Sequence, residues 1–201
     1  MKTLSLYYAT NRKHEGSDRW QPTSYGKSFS DDGAENLRFG WLNLSADEKV
    51  IDKHHKRKGA YGVGDGVSLA TYLTEQAKGA KIEAYREKLD PNVADIHQED
   101  AKLGSLAMFD DLKKEMMDKT DVLIYIHGFN VSWHEAVGSA LSLQEMLNNS
   151  PTKDPDQNLL VILFTWPSDG MALPFVSYKS DRTEAQASGY AFGRGMLKVR
   201  D

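Results

Sequence analysis

The chain has 201 residues and a mass of 22.5 kDa, enough for one domain with a sizeable core, and its 40% hydrophobic and 27% charged residues are ordinary for a globular protein. A net charge of -4 gives no electrostatic reason to expect nucleic acid or an anionic membrane as partner. Cysteine is absent, which excludes disulfides, thiolate nucleophiles and thiolate metal sites, and no apolar window reaches membrane-spanning length, so a cytoplasmic protein is expected.

In chain order, "TLSLYYA" (3–9) is rich in β-branched and aromatic residues and predicts a strand. Residues 10–36 are polar and rich in Gly, Ser and Asp, which predicts a long surface loop. "LRFGWLNLS" (37–45) alternates bulky with small or polar residues, as a half-exposed strand does. The basic run His54-His55-Lys56-Arg57-Lys58 reads as a solvated loop. The glycines between Gly59 and Gly66 read as a flexible connection and fit neither phosphate-loop spacing. "AKIEAYREKL" (80–89) predicts an edge or antiparallel strand, and the following stripe Leu103, Leu106, Phe109, Leu112 and Met116 predicts a helix with a core-facing seam.

Next, "DVLIYIHGFN" (121–130) predicts a buried strand with a sharp exit. The helix after it has Ser132 as N-cap and Glu135 three residues later, a capping box. "NLLVILFTWPSDG" (158–170) is a second apolar run, and the tail predicts a helix opening near Asp181. Two apolar runs around an amphipathic helix describe a βαβ unit with parallel strands, which the N-terminal strands would extend in antiparallel fashion.

Sites in open α/β sheets form where loops leave the carboxyl ends of the strands. Two loops qualify, 127–132 and 165–170, and they share a rim if their strands are neighbours. An isolated His-Gly is read most simply as a turn in which His127 caps the strand. Here it lies between an apolar strand and a capped helix, where backbone N–H groups gather. Acyl transfer needs such donors aimed at the oxygen that becomes negative. Gly128 permits close approach because it has no side chain, Phe129 N–H is the candidate donor, and Asn130 can pin the loop through its amide. Ser168 with Asp169 and a histidine makes a possible self-contained site, but neighbours in sequence seldom give nucleophile–base geometry. Capping of loop backbone by these two residues is the simpler reading. His134, inside the helix, reads as a partly exposed helix residue.

The segments "YYATNRK", "LRFGWLNL", "VLIYIHGFNVSWHEAV", "VILFTWPSDG" and "YKSDRTEAQAS", in that order, resemble a bacterial α/β-hydrolase family of unknown function, DUF900. The resemblance covers Tyr7 to about Leu197. It implies an α/β-hydrolase-like, mostly parallel sheet with flanking helices. It assigns an oxyanion loop to His127, Gly128, Phe129 and Asn130, and a supporting loop on the same rim to Trp166, Pro167, Ser168, Asp169 and Gly170. Within this assignment Phe129 and Asn130 are the catalytic candidates, and His127, Gly128, Trp166, Ser168 and Asp169 the substrate-binding ones.

The chain departs from the hydrolase pattern in two ways. No G-x-S-x-G elbow occurs, and no histidine follows His134. The expectation is therefore a single domain, 1–201, incomplete and truncated before the nucleophile strand, with nucleophile, acid and base beyond residue 201. The resemblance implies a serine hydrolase of carboxyl-ester type acting on small acyl substrates, with no cofactor and no metal. The alternatives are a non-catalytic interaction protein of the same fold and a small enzyme using Ser168. The nucleophile's strand would lie against the strand 122–126, so that strand is expected to expose an apolar edge prone to self-association.

Overall fold

A computed structural model describes residues 1–59, 62–86, 104–168 and 176–200. In chain order the elements are β1 (Lys2–Thr10), β2 (Arg12–Glu15), β3 (Ser24–Phe29), β4 (Arg38–Ala46), α1 (Glu48–Lys56), β5 (Lys58–Gly59), β6 (Gly62–Val63), α2 (Gly66–Ala77), β7 (Lys81–Ala84), α3 (Gly104–Glu115), β8 (Asp121–Ile126), α4 (Trp133–Asn148), β9 (Leu159–Thr165) and α5 (Val176–Arg200). The main sheet has the order β7-β4-β1-β9-β8. β1, β9 and β8 run parallel, while β4 and β7 are added antiparallel. The carboxyl ends of β1, β9 and β8 therefore share one rim. β8, α4 and β9 form the expected βαβ unit.

Strand periodicity sorts the side chains onto two faces. Leu4, Leu6 and Tyr8 of β1 join Leu42 and Leu44 of β4 and Val161 and Leu163 of β9 against α1, α2 and α4. On the opposite face Ala9, Phe39, Leu160 and Phe164 meet Met108 and Leu112 of α3, with Phe192 of α5 beside them. β9 is apolar on both faces because it is central and covered twice. Ser132 caps α4: its Oγ accepts from Glu135 N–H, and Ser132 N–H donates to the Glu135 carboxylate, completing the capping box.

Several expectations change. Residues 10–36 are not a surface loop. They hold the β2–β3 hairpin, in which Asn11, Arg12, Ser24 and Tyr25 are buried. Polar composition misleads there because the buried polar groups are hydrogen-bonded, and Tyr25 packs against both Tyr8 and Trp133, whose rings also touch each other. His54, His55 and Lys56 form the last turn of α1 rather than a loop, and the glycine-rich stretch leads directly into α2, capped by Asp65. Of the predicted seam on α3 only Leu112 is fully buried, together with Gly104, Ser105 and Met108, whereas Phe109 is half-buried, Leu106 is exposed, and so is Met116 just beyond the helix end; Leu103 lies outside the described residues. β8, read as buried, stands at the end of the sheet and is mostly half-exposed or exposed. α5 opens at Val176, earlier than Asp181. Among the described residues no helix is long and apolar enough to cross a membrane.

α4 crosses α2 closely at Gly138. A Cβ there would lie 2.6 Å from Thr74 N and 2.7 Å from Ala70 O, and closer still to Thr74 Oγ1. Backbone cannot yield as a flexible side chain does. Gly138→Ala is therefore expected to lower stability by about 1–3 kcal/mol, read as a lower urea midpoint with an unchanged slope.

Candidate active site

The rim is built around a buried cation. Arg12, just past the end of β1, is 1% exposed. Its Nε donates to Thr165 Oγ1 at 2.9 Å, Nη1 to Gly26 O at 3.0 Å, and Nη2 to Val131 O at 2.7 Å. One guanidinium thereby ties together the end of β9, the β2–β3 hairpin and the turn that follows β8. Burial lowers its pKa to about 10, opposed by the nearby charges of Glu184, Asp181 and Glu135, so it remains a cation at neutral pH.

His127 forms the second layer and is 4% exposed. Its Nδ1 lies 2.7 Å from Gly128 O, and since a carbonyl only accepts, the proton sits on Nδ1. Nε2 then accepts from the Thr165 hydroxyl at 2.8 Å and faces Trp166 N–H and Arg12 Nη2, each at 3.3 Å. The ring stacks on Trp166 at 5.2 Å, and Trp166 Nε1 donates to His127 O. Burial above all, with Arg12 assisting, pushes the imidazole down to about 4. His127 is thus neutral and fully engaged, a support for the turn rather than a proton acceptor.

A third support comes from α5. Asp181, 1% exposed, accepts from Asn130 N–H at 2.7 Å and from the Ser168 hydroxyl at 2.8 Å, both through Oδ2. Ser168 Oγ in turn accepts from Val131 N–H at 3.1 Å. These two amides are bonded by side chains, not by a strand ladder or a helix. Asn130 has φ +58°, the left-handed region that a short polar side chain tolerates. Outside these supports the tip is open: Gly128, Phe129 and Asn130 are exposed, and a Cβ on Gly128 would meet nothing within 4 Å.

The structure therefore brings His127, Gly128, Phe129, Asn130, Trp166, Pro167 and Ser168 onto one rim. Trp166, Pro167 and Ser168 form its buried floor; Asp169 and Gly170 lie outside the described residues. Ser168 takes the loop-capping role. His134 lies elsewhere, half-buried, with Nε2 3.4 Å from Ser24 Oγ. Sequence reasoning missed Arg12, Thr165 and Asp181. Arg12 and Asp181 sit in the quoted segments "YYATNRK" and "YKSDRTEAQAS", and their only signal was a charged residue beside a core element.

Fold and rim together define the class: an α/β protein with a mixed sheet and a turn-bearing rim at the strand carboxyl ends, the architecture of α/β hydrolases. Residues 105–200 match the model of a family described as alpha/beta hydrolase of unknown function, DUF900. The matched span carries nearly all of α3 together with β8, α4, β9 and α5. No curated protein and no solved structure matches the chain.

The buried charges make stability depend on pH. A histidine whose folded pKa is depressed takes up its proton more readily when unfolded, so stability falls as pH drops from about 6.5 towards 4. His127 accounts for about 3 kcal/mol of that loss. His55 and His134, also lowered chiefly by burial, add to it with the same sign. Urea midpoints measured between pH 7.5 and 4.5 should show the decline, and His127→Gln should flatten it. Removing the central cation leaves the buried acceptors Thr165 Oγ1, Gly26 O and Val131 O without its donors. Arg12→Met is expected to cost about 3–5 kcal/mol at pH 7, measured by equilibrium unfolding.

Proposed function

We propose that the chain carries the oxyanion-binding turn of a serine hydrolase of carboxyl-ester type, acting on small acyl substrates. The observation that carries this reading is a turn whose base is fixed from three directions while its tip, 128–130, stays open to solvent. Catalysis by charge stabilisation needs that combination, because donors held in place before reaction do not have to reorganise during it. In the proposal Phe129 N–H is the donor to the acyl oxygen. Asn130, in its left-handed conformation, gives the backbone the curvature that lets successive N–H groups converge on an anion.

The attacking group is not Ser168. Its proton is directed to Asp181, it is 0% exposed, and the nearby His127 has no free basic nitrogen. In this proposal nucleophile, acid and base are supplied by residues other than those described. A second reading, a non-catalytic interaction protein, is favoured by one specific fact: Asn130 N–H and Val131 N–H are already taken by Asp181 and Ser168.

Gly128 separates the two readings. Open space around its Cβ position means that Gly128→Val should fold normally, while the new side chain projects into the volume an acyl oxygen must enter. Hydrolysis of p-nitrophenyl acyl esters by the full natural protein is expected to fall roughly 100-fold in kcat/KM in this variant, with an unchanged melting temperature. Equal turnover in both proteins would remove the turn from the mechanism, and absence of turnover with every acyl length would favour the non-catalytic reading. A fluorophosphonate probe should leave Ser168 unlabelled.

A further inference from the structure

We propose that α1, the β5–β6 hairpin and the start of α2 form a docking surface for an anionic phospholipid bilayer. Between Lys49 and Val67 the sequence has five lysines and arginines against two aspartates, whereas the whole chain carries -4. Lys49, Lys53 and Lys56 recur at i, i+4 and i+7, so they share one face of α1, opposite the buried Ile51. All three are exposed, as are Arg57 and Lys58 after them. Lys58 pairs directly with Val63 across the hairpin, which puts both side chains on one face. Val63 is 65% exposed, and Val67, in the first turn of α2, is 81% exposed. Cations in a last helical turn complement the helix dipole. That accounts for Lys53 and Lys56, but for neither Lys58 nor the two valines.

The surface is held in place by its own hydrogen bonds. Gly64 N–H donates to Arg57 O at 2.7 Å and Asp65 N–H to His54 O at 2.9 Å, which folds the hairpin back onto the last turn of α1. Arg57 Nε lies 3.3 Å from Asp65 Oδ2, and Asp65 also caps α2. A Cβ on Gly64 or Gly66 would lie 3.2 Å or 3.4 Å from the Met146 side chain, so this segment seats against the far end of α4. That helix begins at Trp133, beside the candidate turn and about 20 Å away along its axis. α1 directly follows β4, which stands three places from β8 in the sheet, so its exposure does not depend on what pairs with β8. An anionic bilayer suits both parts of the surface. Clusters of four to eight lysines and arginines are drawn to phosphatidylserine-rich leaflets, each contributing about fivefold in affinity. Exposed valines gain by leaving water for the acyl boundary, and gain nothing from free phosphate or a nucleic-acid backbone.

The surface lies away from the turn, so this proposal stands independently of the catalytic reading. The full chain should co-sediment with phosphatidylcholine vesicles containing about 30% phosphatidylserine and not with vesicles of phosphatidylcholine alone. Raised salt should release it. Lys56→Gln combined with Lys58→Gln, both at exposed positions, should keep the melting temperature and weaken vesicle binding about 25-fold. Val63→Ser combined with Val67→Ser should weaken binding as well, while leaving its salt dependence in place. No binding to either vesicle, equal binding to both, or binding indifferent to the glutamine pair would each overturn the proposal. So would an oligonucleotide bound more tightly than the vesicles, with the serine pair without effect. Should the glutamine pair lower the melting temperature, the salt dependence and the serine pair decide it alone.

Discussion

The guanidinium of Arg12 is the constraint on which the rim depends. Removing such a cation from water costs several kcal/mol, and the site offsets this by meeting its donors with Thr165 Oγ1, Gly26 O and Val131 O. Each acceptor belongs to a different piece of chain. A planar group with donors in fixed directions can hold three such pieces in one geometry, which an ammonium on a flexible stem cannot do. The hairpin after β1 is thereby made part of the domain, and the turn after β8 acquires a fixed distance from the end of β9.

The other two supports act on the same turn from different sides. His127 reaches Thr165 and Trp166 across the β8–β9 boundary, and Asp181 reaches up from α5 to Asn130 N–H and the Ser168 hydroxyl. These groups belong to one electrostatic unit. Protonating His127 would set a second positive charge beside Arg12, and burial already opposes that proton. The carboxylate of Asp181, in turn, belongs to the field that keeps Arg12 charged. A held base with an exposed tip follows from this division of labour, since side-chain hydrogen bonds fix Gly128 O, Asn130 N–H, Val131 N–H and Val131 O while residues 128 to 130 remain exposed.

How much of this was legible in the sequence depends on whether the signal was periodic. β1, β4, β7, β8, β9 and α4 were readable because alternation, a continuous apolar run or a capping box is written locally. The two loops meeting on one rim followed from the βαβ pattern alone. The β2–β3 hairpin was not readable: Asn11, Arg12 and Ser24 look like loop residues, and their burial depends on partners as distant as Thr165 and Ser188. The same holds for Asp181, whose role is set by Asn130 and Ser168 rather than by its neighbours in α5. α1 and α2 were missed for another reason. A basic run and a cluster of glycines dominated the local composition, while Asp47 and Asp65, the caps that start those helices, are single residues without a pattern around them.

β8 shows where local pattern and position in the sheet part company. A continuous apolar run predicts a strand covered on both faces and flanked on both edges, and β9 fits that description. β8 has the same composition at the end of the sheet, where Leu123 and Ile126 meet solvent. Its inward edge needs no such sequence, because parallel pairing to β9 is satisfied by backbone alone. The apolar character is therefore a property of its faces and its outer edge together, and hydration of that surface is unfavourable at about 25 cal/mol per Å². The rim lies at the carboxyl end of this strand, so the turn it carries is anchored through the strand by β9 and beyond it by Arg12, His127 and Asp181.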